Sequence, residues 1–365
     1  MTTHPPSTSI SLADTEPVRP SQVCPGCSSP VGWHDRFCEV CGRNLLVHRT
    51  PVGGPDPSAA AQACVSCDFD RIDAEGFCLR CGRAQPRGRD RVIYDLDGVV
   101  AGVSDRGRRR TRNEDALALG FLGRRDDPSC VVAVVCDGVA FSSRATEASQ
   151  AAADTAVDIL LSAMSGAAEP VAATRAAAAA ASAAVNRLAD DPGELTDGPP
   201  ATTYVSAVVT ENEVTVGWLG DSRAYWLATG PRSTRSRCLT VDHTRANELV
   251  ASGVNAVDAG SAEDATALAR WLGADAEDPQ PQIQRFRPHG PGTVLLCTDG
   301  LWGYLSGPPV LAAHLPIGGG DPLGAAMGLT DAANERGGRD NITVAAIPFP
   351  LRGADEATTA RSDGS

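Results

Sequence analysis

Beyond residue 91 the chain alternates between short valine-rich runs and longer alanine-rich stretches. The valine-rich runs contain few charges and end at glycine or aspartate, a pattern typical of buried β-strands. They predict strands over 99–103, 131–136, 203–209, 214–219, 293–297 and 342–347. The alanine-rich stretches predict helices over 145–164, 171–188 and 323–335, and another helix is expected to begin near His243.

Strands and helices do not alternate regularly in this pattern, and no glycine-rich phosphate loop is present. A parallel sheet with crossover helices is therefore disfavoured. The pattern predicts an α+β protein, in which an antiparallel sheet or sandwich is covered by helices. A chain of 365 residues is long enough for one large domain of this kind and an additional N-terminal module.

The two ends of the chain have a different composition. Residues 1–20 are rich in serine, threonine and proline and are predicted to be a disordered leader, and residues 351–365 a disordered tail. No apolar run approaches the ~20 residues that a membrane helix needs, and no secretory signal is visible. We expect a soluble, cytoplasmic protein without a membrane partner. The net charge of −13 also makes a nucleic-acid partner an unfavourable hypothesis, because like charges repel.

Eight of the twelve cysteines form two copies of one pattern, 40 residues apart. Each copy has two Cys-x-x-Cys pairs separated by ten residues, a spacing that suits a tetrahedral Zn²⁺ site. Four stray thiols are the alternative, but an exact repeat argues against it. The sequence predicts two structural Zn²⁺ ions, held by Cys24, Cys27, Cys38 and Cys41 in the first copy and by Cys64, Cys67, Cys78 and Cys81 in the second.

This arrangement resembles the double zinc-ribbon modules beside many bacterial catalytic domains. It predicts one ribbon over 21–45, a linker over 46–62 and a second ribbon over 63–84. Protein docking and a plain spacer both remain open as the role of the ribbons. The other cysteines, Cys130, Cys136, Cys238 and Cys297, are predicted to be small core side chains.

Candidate chemistry lies at the ends of the predicted strands. Asp137, Asp299 and Asp340 each stand at a strand end, and an arginine-rich segment from Ser104 to Asp115 enters the domain. Carboxylates are the ligands that Mg²⁺ and Mn²⁺ prefer, and a guanidinium group can bind a phosphate through paired hydrogen bonds. Converging carboxylates also imply a cation, because they would otherwise repel one another. These features indicate hydrolysis of a phosphate ester.

An ordered series of motifs makes the resemblance specific: residues 91–350 resemble the PPM-type, metal-dependent type 2C Ser/Thr protein phosphatases. The family fold is a β-sandwich flanked by helices, in agreement with the strand and helix pattern. The motifs are Ser104-Asp105-x-Gly107 with Arg110, Asn113-Glu114-Asp115, Asp137-Gly138, Ala201-Thr202-Thr203, Gly220-Asp221-Ser222-Arg223, Val241-Asp242-His243, Leu272-Gly273, Asp299-Gly300 and Asp340-Asn341.

The resemblance implies a role for each matching position. Asp137 would bridge two Mn²⁺ or Mg²⁺ ions and is the main catalytic residue together with Arg110, which would hold the substrate phosphate. Asp221 would contribute to a third, weaker metal site. The implied metal ligands are Glu114, Asp115, Asp137, the Gly138 carbonyl, Asp221, Asp299 and Asp340, and the supporting residues are Asp105 and Asn341. Asp242 and His243 are predicted to cap the following helix.

One departure affects the expected chemistry. Family members carry a histidine either immediately after the Asp-Gly pair or a few residues later, whereas this chain continues Val139-Ala140-Phe141-Ser142.

The resemblance implies hydrolysis of phosphoserine and phosphothreonine in the protein substrates of Ser/Thr kinases by a metal-activated water. A catalytically weak or inactive phosphoprotein-binding pseudophosphatase is the alternative. A phosphatase of the sporulation and stress-response branch is disfavoured, because Arg110 and Asn113-Glu114-Asp115 are intact.

Overall fold

The computed structural model describes residues 22–24, 26–32, 35–54, 64, 67, 69–73, 77–83, 85, 88–139, 142, 144–190, 198–229 and 235–351. The predicted leader and nearly all of the predicted tail lie outside these residues. The chain divides into two compact units, Met1–Leu46 and Val47–Ser365. The first unit contains β1 (Gln22–Val23) and β2 (Pro30–Val31), which pair antiparallel on either side of Cys24 and Cys27.

The second unit holds the remaining strands and all of the described helices. Its strands are β3 (Val47–Arg49), β4 (Arg91–Leu96), β5 (Val100–Asp105), β6 (Asp115–Arg124), β7 (Asp127–Asp137), β8 (Ala201–Thr202), β9 (Tyr204–Thr210), β10 (Val214–Leu219), β11 (Arg223–Ala228), β12 (Arg237–Cys238), β13 (Leu272–Gly273), β14 (Gln282–Phe286), β15 (Gly292–Cys297) and β16 (Ile342–Phe349). Its α-helices are α1 (Ala145–Ser165), α2 (Pro170–Ala189), α3 (Arg245–Ala251), α4 (Ala256–Gly260), α5 (Asp299–Trp302), α6 (Pro308–Ala312) and α7 (Pro322–Glu335).

Two antiparallel six-stranded sheets form a sandwich. Their strand orders are β14-β10-β9-β7-β6-β3 and β12-β11-β15-β16-β5-β4. Side chains alternate between two layers along β7: Val131, Ala133 and Val135 pack between the sheets, whereas Val132 and Val134 pack against helices α1 and α2. Helix α7 covers the outer face of the other sheet. The fold is therefore the predicted α+β sandwich flanked by helices.

The predicted elements of this unit are present with shifts at their ends. The strand predicted over 214–219 has these bounds in the structure, and the helix predicted over 145–164 is one residue longer. The sequence pattern missed β3, β4, β6, β8, β11, β12, β13 and β14 and the short helices α4, α5 and α6. Strand β6 was missed because its Ala-Leu-Ala-Leu-Gly run lacks the β-branched residues that identified the other strands. None of the helices in the described part of the chain is both long and apolar enough to span a membrane.

The segment that was predicted as a linker over 46–62 contributes a strand to the larger unit. Val47, His48 and Arg49 of β3 pair antiparallel with Leu122, Phe121 and Gly120 of β6 at the edge of the sheet. The sheet therefore includes residues well before 91, the position at which the large domain was predicted to begin. A three-residue edge strand has too few residues for a periodic pattern, and only its pairing partner reveals it.

Candidate metal and phosphate site

The strand ends bring the predicted carboxylates to one edge of the sandwich. Asp115 begins β6 and lies directly opposite Asp137, the last residue of β7. In the second sheet Asp299 follows β15 and Asp340 precedes β16, and these two strands are paired neighbours. Asp221 follows the end of β10. Residues that are far apart in the sequence are therefore neighbours because antiparallel strands turn at the same edge.

A cavity of about 530 Å³ opens at this edge. Most of the predicted site residues line it, together with an apolar wall to which Leu268 and Trp271 belong. Asp105 and Asp115 are absent from its lining. The lining residues from the predicted set are Arg110, Glu114, Asp137, Gly138, Asp221, Asp299, Asp340 and Asn341.

Asp115 lies behind the cavity and is almost completely buried, with 1% of its surface exposed. Its Oδ2 accepts hydrogen bonds from the hydroxyl groups of Thr298 (2.9 Å) and Thr343 (2.8 Å). Its Oδ1 is buried and has no partner among the described residues. Burial raises the pKa of Asp115 to about 7, while the two hydroxyl groups oppose this increase.

The carboxylates of the cavity disfavour one another's charge. Burial, followed by the carboxylates of Asp115 and Asp299, raises the pKa of Asp137 well above its ordinary value. Burial and the Asp340 carboxylate raise the pKa of Asp299 to about 6. Burial, with Asp299 next, raises the pKa of Asp221 to about 7. A bound cation would relieve both the burial and the repulsion.

Arg110 is paired with a carboxylate of the site. Its Nη2 donates to Asp340 Oδ2 over 2.6 Å, and this contact raises the pKa of Arg110. The Arg110 side chain is 40% exposed. A guanidinium group has five N–H donors, so Arg110 keeps donors for a phosphate beside this ion pair.

Asn341 and Asp105 hold the segment that carries Arg110. The Asn341 side chain donates to the carbonyls of Arg106 and Arg112, both over 2.9 Å, and accepts from the Glu114 N–H over 2.8 Å. Asp105 accepts from Gly107 N (2.8 Å) and from Arg91 Nη1 (2.7 Å). Both residues shape the entry segment.

The backbone at Asp137 and Gly138 is closely packed. The Asp137 N–H donates to Thr203 Oγ1 over 3.0 Å, and the Asp137 carbonyl accepts from Thr202 Oγ1 over 2.8 Å. A Cβ atom at Gly138 would lie 2.7 Å from the Ala145 carbonyl oxygen and 2.8 Å from that of Glu114, so no side chain fits there. The two threonines fix the position of Asp137, a contribution that the sequence pattern did not reveal.

The capping prediction for Asp242 and His243 is wrong. Helix α3 has Thr244 as its N-cap, and Asp242 instead pairs with Arg223 through two hydrogen bonds of 2.9 and 2.7 Å. His243 Nδ1 accepts from the Gly220 N–H over 3.1 Å. Both side chains point toward the loop that carries Asp221, because the Arg223 guanidinium and the Gly220 N–H are available there as hydrogen-bond partners.

The donor set of the cavity fits hard divalent cations. Buried oxygens of Asp115 and Asp299 have no hydrogen-bond partner in the described structure, and all of the candidate ligands are oxygens. No three carboxylate groups among the described residues place their oxygens within 4.8 Å of one another. Mg²⁺ usually retains several waters beside its carboxylates, so its carboxylate ligands need not lie this close together.

The two cysteine sets are much tighter. In each set the four sulfur atoms lie within 4.8 Å of one another. The separations are 3.6 Å for Cys24–Cys41 and 3.5 Å for Cys27–Cys38, close to the ~3.8 Å expected between sulfurs 2.3 Å from a tetrahedral Zn²⁺. A hydrogen bond from the Gly26 N–H lowers the pKa of Cys24.

The second set repeats this geometry, with sulfur separations of 3.5 Å for Cys64–Cys81 and 3.7 Å for Cys67–Cys78. Gly82 has a φ of +68°, like Gly42 at +72° in the first set. The repeat in sequence is therefore a repeat in structure, and both sets are compatible with zinc ribbons. Among the other cysteines, Cys130, Cys136 and Cys297 are buried as predicted, but Cys238 is exposed on the edge strand β12.

Comparison with known proteins identifies the class. A family profile described as Protein phosphatase 2C matches residues 104–316, which is more than half of the chain. The chain therefore belongs to the protein phosphatase 2C family. Solved structures show the same fold: Stp1 from Staphylococcus aureus has a TM-score of 0.55 at 22% identity, covering 68% of this chain and 94% of that chain. The S. agalactiae serine/threonine phosphatase has a TM-score of 0.54 at 20% identity, covering 68% of this chain and 98% of that chain.

Similarity to curated proteins covers a shorter stretch. The serine/threonine phosphatase stp of Listeria monocytogenes serotype 4b is 30% identical over 152 residues, covering 41% of this chain and 57% of that protein. The stp protein of Listeria innocua is 30% identical over 145 residues, covering 39% of this chain and 54% of that protein. The chain thus spans about half the length of the curated relatives it matches.

Proposed function

We propose that this protein hydrolyses phosphoserine and phosphothreonine in proteins, with Mn²⁺ or Mg²⁺ bound in the cavity. The observation that carries the proposal is the convergence of Asp137, Asp221, Asp299 and Asp340 with Arg110 in a single cavity of about 530 Å³. Family membership and the named serine/threonine phosphatase relatives support the substrate class.

The carboxylate side chains would bind the metal ions, and Arg110 would bind the phosphate. Asp137 and the Gly138 carbonyl would hold two ions, with Asp299, Asp340, Glu114 and Asp115 completing their surroundings, and Asp221 would serve a third, weaker site. Bound divalent ions supply charge neutralisation and a water of lowered pKa. Arg110 would orient the phosphate with the N–H groups that do not bind Asp340. Apolar wall residues such as Leu268 and Trp271 would contact the substrate beside its phosphate.

A second function has an observation in its favour. No histidine lines the described part of the cavity, and the sequence after Gly138 lacks the histidine that family members carry. Protonation of a serine or threonine leaving group would then lack its usual donor. The competing proposal is a pseudophosphatase that binds phosphoproteins with little or no turnover.

Phosphate release from a phosphothreonine peptide, measured with and without Mn²⁺, tests the main proposal. We expect Mn²⁺-dependent release by the full chain and none by Asp137→Asn. Peptide binding without release, measured by fluorescence anisotropy under the same conditions, would establish the pseudophosphatase instead.

Each cysteine set would hold one structural Zn²⁺ ion and offer a docking surface for protein partners. The proposed zinc sites rest on the sulfur separations of 3.5–3.7 Å. The docking role rests on exposed apolar side chains at matching positions of the repeat, Phe37 at 56% and Phe77 at 45% exposure. Replacing both phenylalanines by serine should abolish binding of a partner recovered with the full chain, while the zinc content stays at two. Unchanged binding would favour a plain spacer.

A further inference from the structure

Strand β3 lies outside the residues that match the family profile, yet it is built into the catalytic sheet. Beyond its pairing with β6, Thr50 N donates to the Leu119 carbonyl over 3.0 Å, and Thr50 Oγ1 accepts from Leu119 N over 3.1 Å. The His48 ring stacks on Phe121 with centroids 4.1 Å apart. Thr50 is only 2% exposed. The segment after the first cysteine set is therefore a packed part of the larger unit.

From β3 a chain of hydrogen bonds runs onto helix α1. Asp154 accepts from Arg49 Nη2 over 3.0 Å and from the Gly53 N–H over 2.8 Å. It also accepts from Gln150 Nε2, one helical turn earlier, over 2.9 Å. Asp154 is 7% exposed, so three donors converge on a largely buried carboxylate. Such a charge is retained only when it is well paired.

The series of hydrogen bonds continues from Gln150 to Arg89, which precedes β4. Arg89 Nη1 donates to Gln150 Oε1, and Arg89 Nη2 donates to the main-chain carbonyl of Asp115 over 2.7 Å. The Arg89 carbonyl accepts from Asn113 Nδ2 over 2.9 Å. Gly54 packs over this pair: a Cβ atom there would lie 2.7 Å from Gln150 Oε1 and 3.1 Å from Arg89 Nη1.

Arg89 is thus one of the groups that fix the main chain of the Asn113-Glu114-Asp115 motif. Ser149 Oγ donates to the Glu114 carbonyl over 2.6 Å, and Asn341 accepts from the Glu114 N–H. At Asp115 the carbonyl is bound by Arg89 and the carboxylate by threonine hydroxyls. Removing the guanidinium group would free one side of the motif, although no contact to the cavity itself would be lost.

We propose that Arg89 is a positioning residue for Glu114 and Asp115, and that β3 holds Arg89 in place through Asp154 and Gln150. The inference rests on the proposed metal site. Functional sites need their groups held to within roughly 0.5 Å, and partners that orient metal ligands are commonly worth about 10–100-fold in metal affinity. Sequence outside the family domain would in this way set the affinity of the site for Mn²⁺.

The central experiment measures Mn²⁺ binding to the full chain and to Arg89→Lys by the electron paramagnetic resonance signal of free Mn²⁺. Lysine keeps the charge but cannot bridge Gln150 and the Asp115 carbonyl. We expect a dissociation constant about tenfold higher in the variant. The matched control is Arg285→Lys on the edge strand β14. This change removes the two hydrogen bonds of 2.8 and 3.0 Å that Arg285 donates to the Glu213 carboxylate. The control should bind Mn²⁺ like the parent.

Two further variants test the connection to β3. Gln150→Met and Asp154→Asn interrupt this series of hydrogen bonds at different points, and each should raise the Mn²⁺ dissociation constant several-fold. Combining either of them with Arg89→Lys should add little to the effect of Arg89→Lys alone. If Arg89→Lys does not fold, Gln150→Met alone carries the test. A melting curve recorded with Mn²⁺ establishes that each variant is folded at the assay temperature before its Mn²⁺ affinity is compared with that of the parent.

Unchanged Mn²⁺ affinity in folded Arg89→Lys or Gln150→Met would overturn the positioning role. An equal loss in Arg285→Lys would also overturn it, because the effect would then be general destabilisation. Full affinity in Asp154→Asn would overturn the part assigned to β3. Failure of the parent protein to bind Mn²⁺ at all would instead refute the proposed metal site, so the two failures are distinguishable.

Discussion

Asp115→Asn is expected to stabilise the protein when divalent ions are absent and to weaken its binding of these ions. Burial raises the pKa of Asp115 from 3.8 to about 7. A raised folded-state pKa means that ionisation costs the folded state stability as pH rises from about 4 to about 7, and that this cost is fully present above pH 7. A rise in the pKa of Asp115 from 3.8 to about 7 lowers the stability of the folded state by roughly 4 kcal/mol at pH 8.

The amide would not recover all of this energy. Its oxygen can still accept from Thr298 and Thr343, but its NH₂ group would take the place of Oδ1, which has no partner among the described residues. An unpaired buried donor costs about 1–3 kcal/mol. Without divalent ions at pH 8 the variant should therefore be more stable by about 1–3 kcal/mol. At pH 4 or below the carboxyl group is protonated, and this advantage should disappear.

Thermal unfolding followed by tryptophan fluorescence measures the effect, since Trp218 and Trp226 are buried in the sandwich. For a domain of this size, 1–3 kcal/mol corresponds to roughly 2–10 °C. Excess Mn²⁺ should reverse the order, because the parent gains more from the ions. Asp105→Asn is the control: it loses the ion pair with Arg91 and should lower the melting temperature at pH 8. A lower melting temperature for ion-free Asp115→Asn at pH 8 would refute the reasoning.

The remaining predictions concern the site and the cysteine sets. Asp137→Asn should lower hydrolysis of p-nitrophenyl phosphate by at least 100-fold. Asp299→Asn and Asp340→Asn should chiefly raise the Mn²⁺ concentration needed for activity. Activity of Asp137→Asn within a few-fold of the parent would show that the site is misassigned. Val139→His should raise turnover of a phosphothreonine peptide more than that of the aryl phosphate, because general-acid assistance is typically worth ~10²–10⁴-fold for poor leaving groups; equal effects in a folded variant would point to another proton donor. The reduced full chain should contain two Zn²⁺ by elemental analysis and Cys27→Ser only one, and iron or a lower zinc content in the parent would contradict the zinc assignment.

The sequence was sufficient for the architecture of the sandwich and for most of the carboxylates that line the cavity. Runs such as 131–136 are long, apolar and rich in β-branched residues, so local preference and burial agree and the strand is predictable. Aspartates at the ends of such strands, as at Asp137 and Asp299, are visible as breaks in the apolar pattern. The exact repeat of the cysteine spacing also predicts two matching sulfur clusters, because each cluster forms within about twenty residues.

Long-range pairing was decided only by the tertiary structure. The edge strand β3 has three residues, and only its register against β6 distinguishes it from a linker. Thr202, Thr203 and Arg89 hold the backbone of site residues through hydrogen bonds between distant segments, which leave no periodic signal. Local patterns record which residues a segment buries. Which distant carbonyl a buried side chain binds depends on where the chain returns, and that is a property of the whole fold.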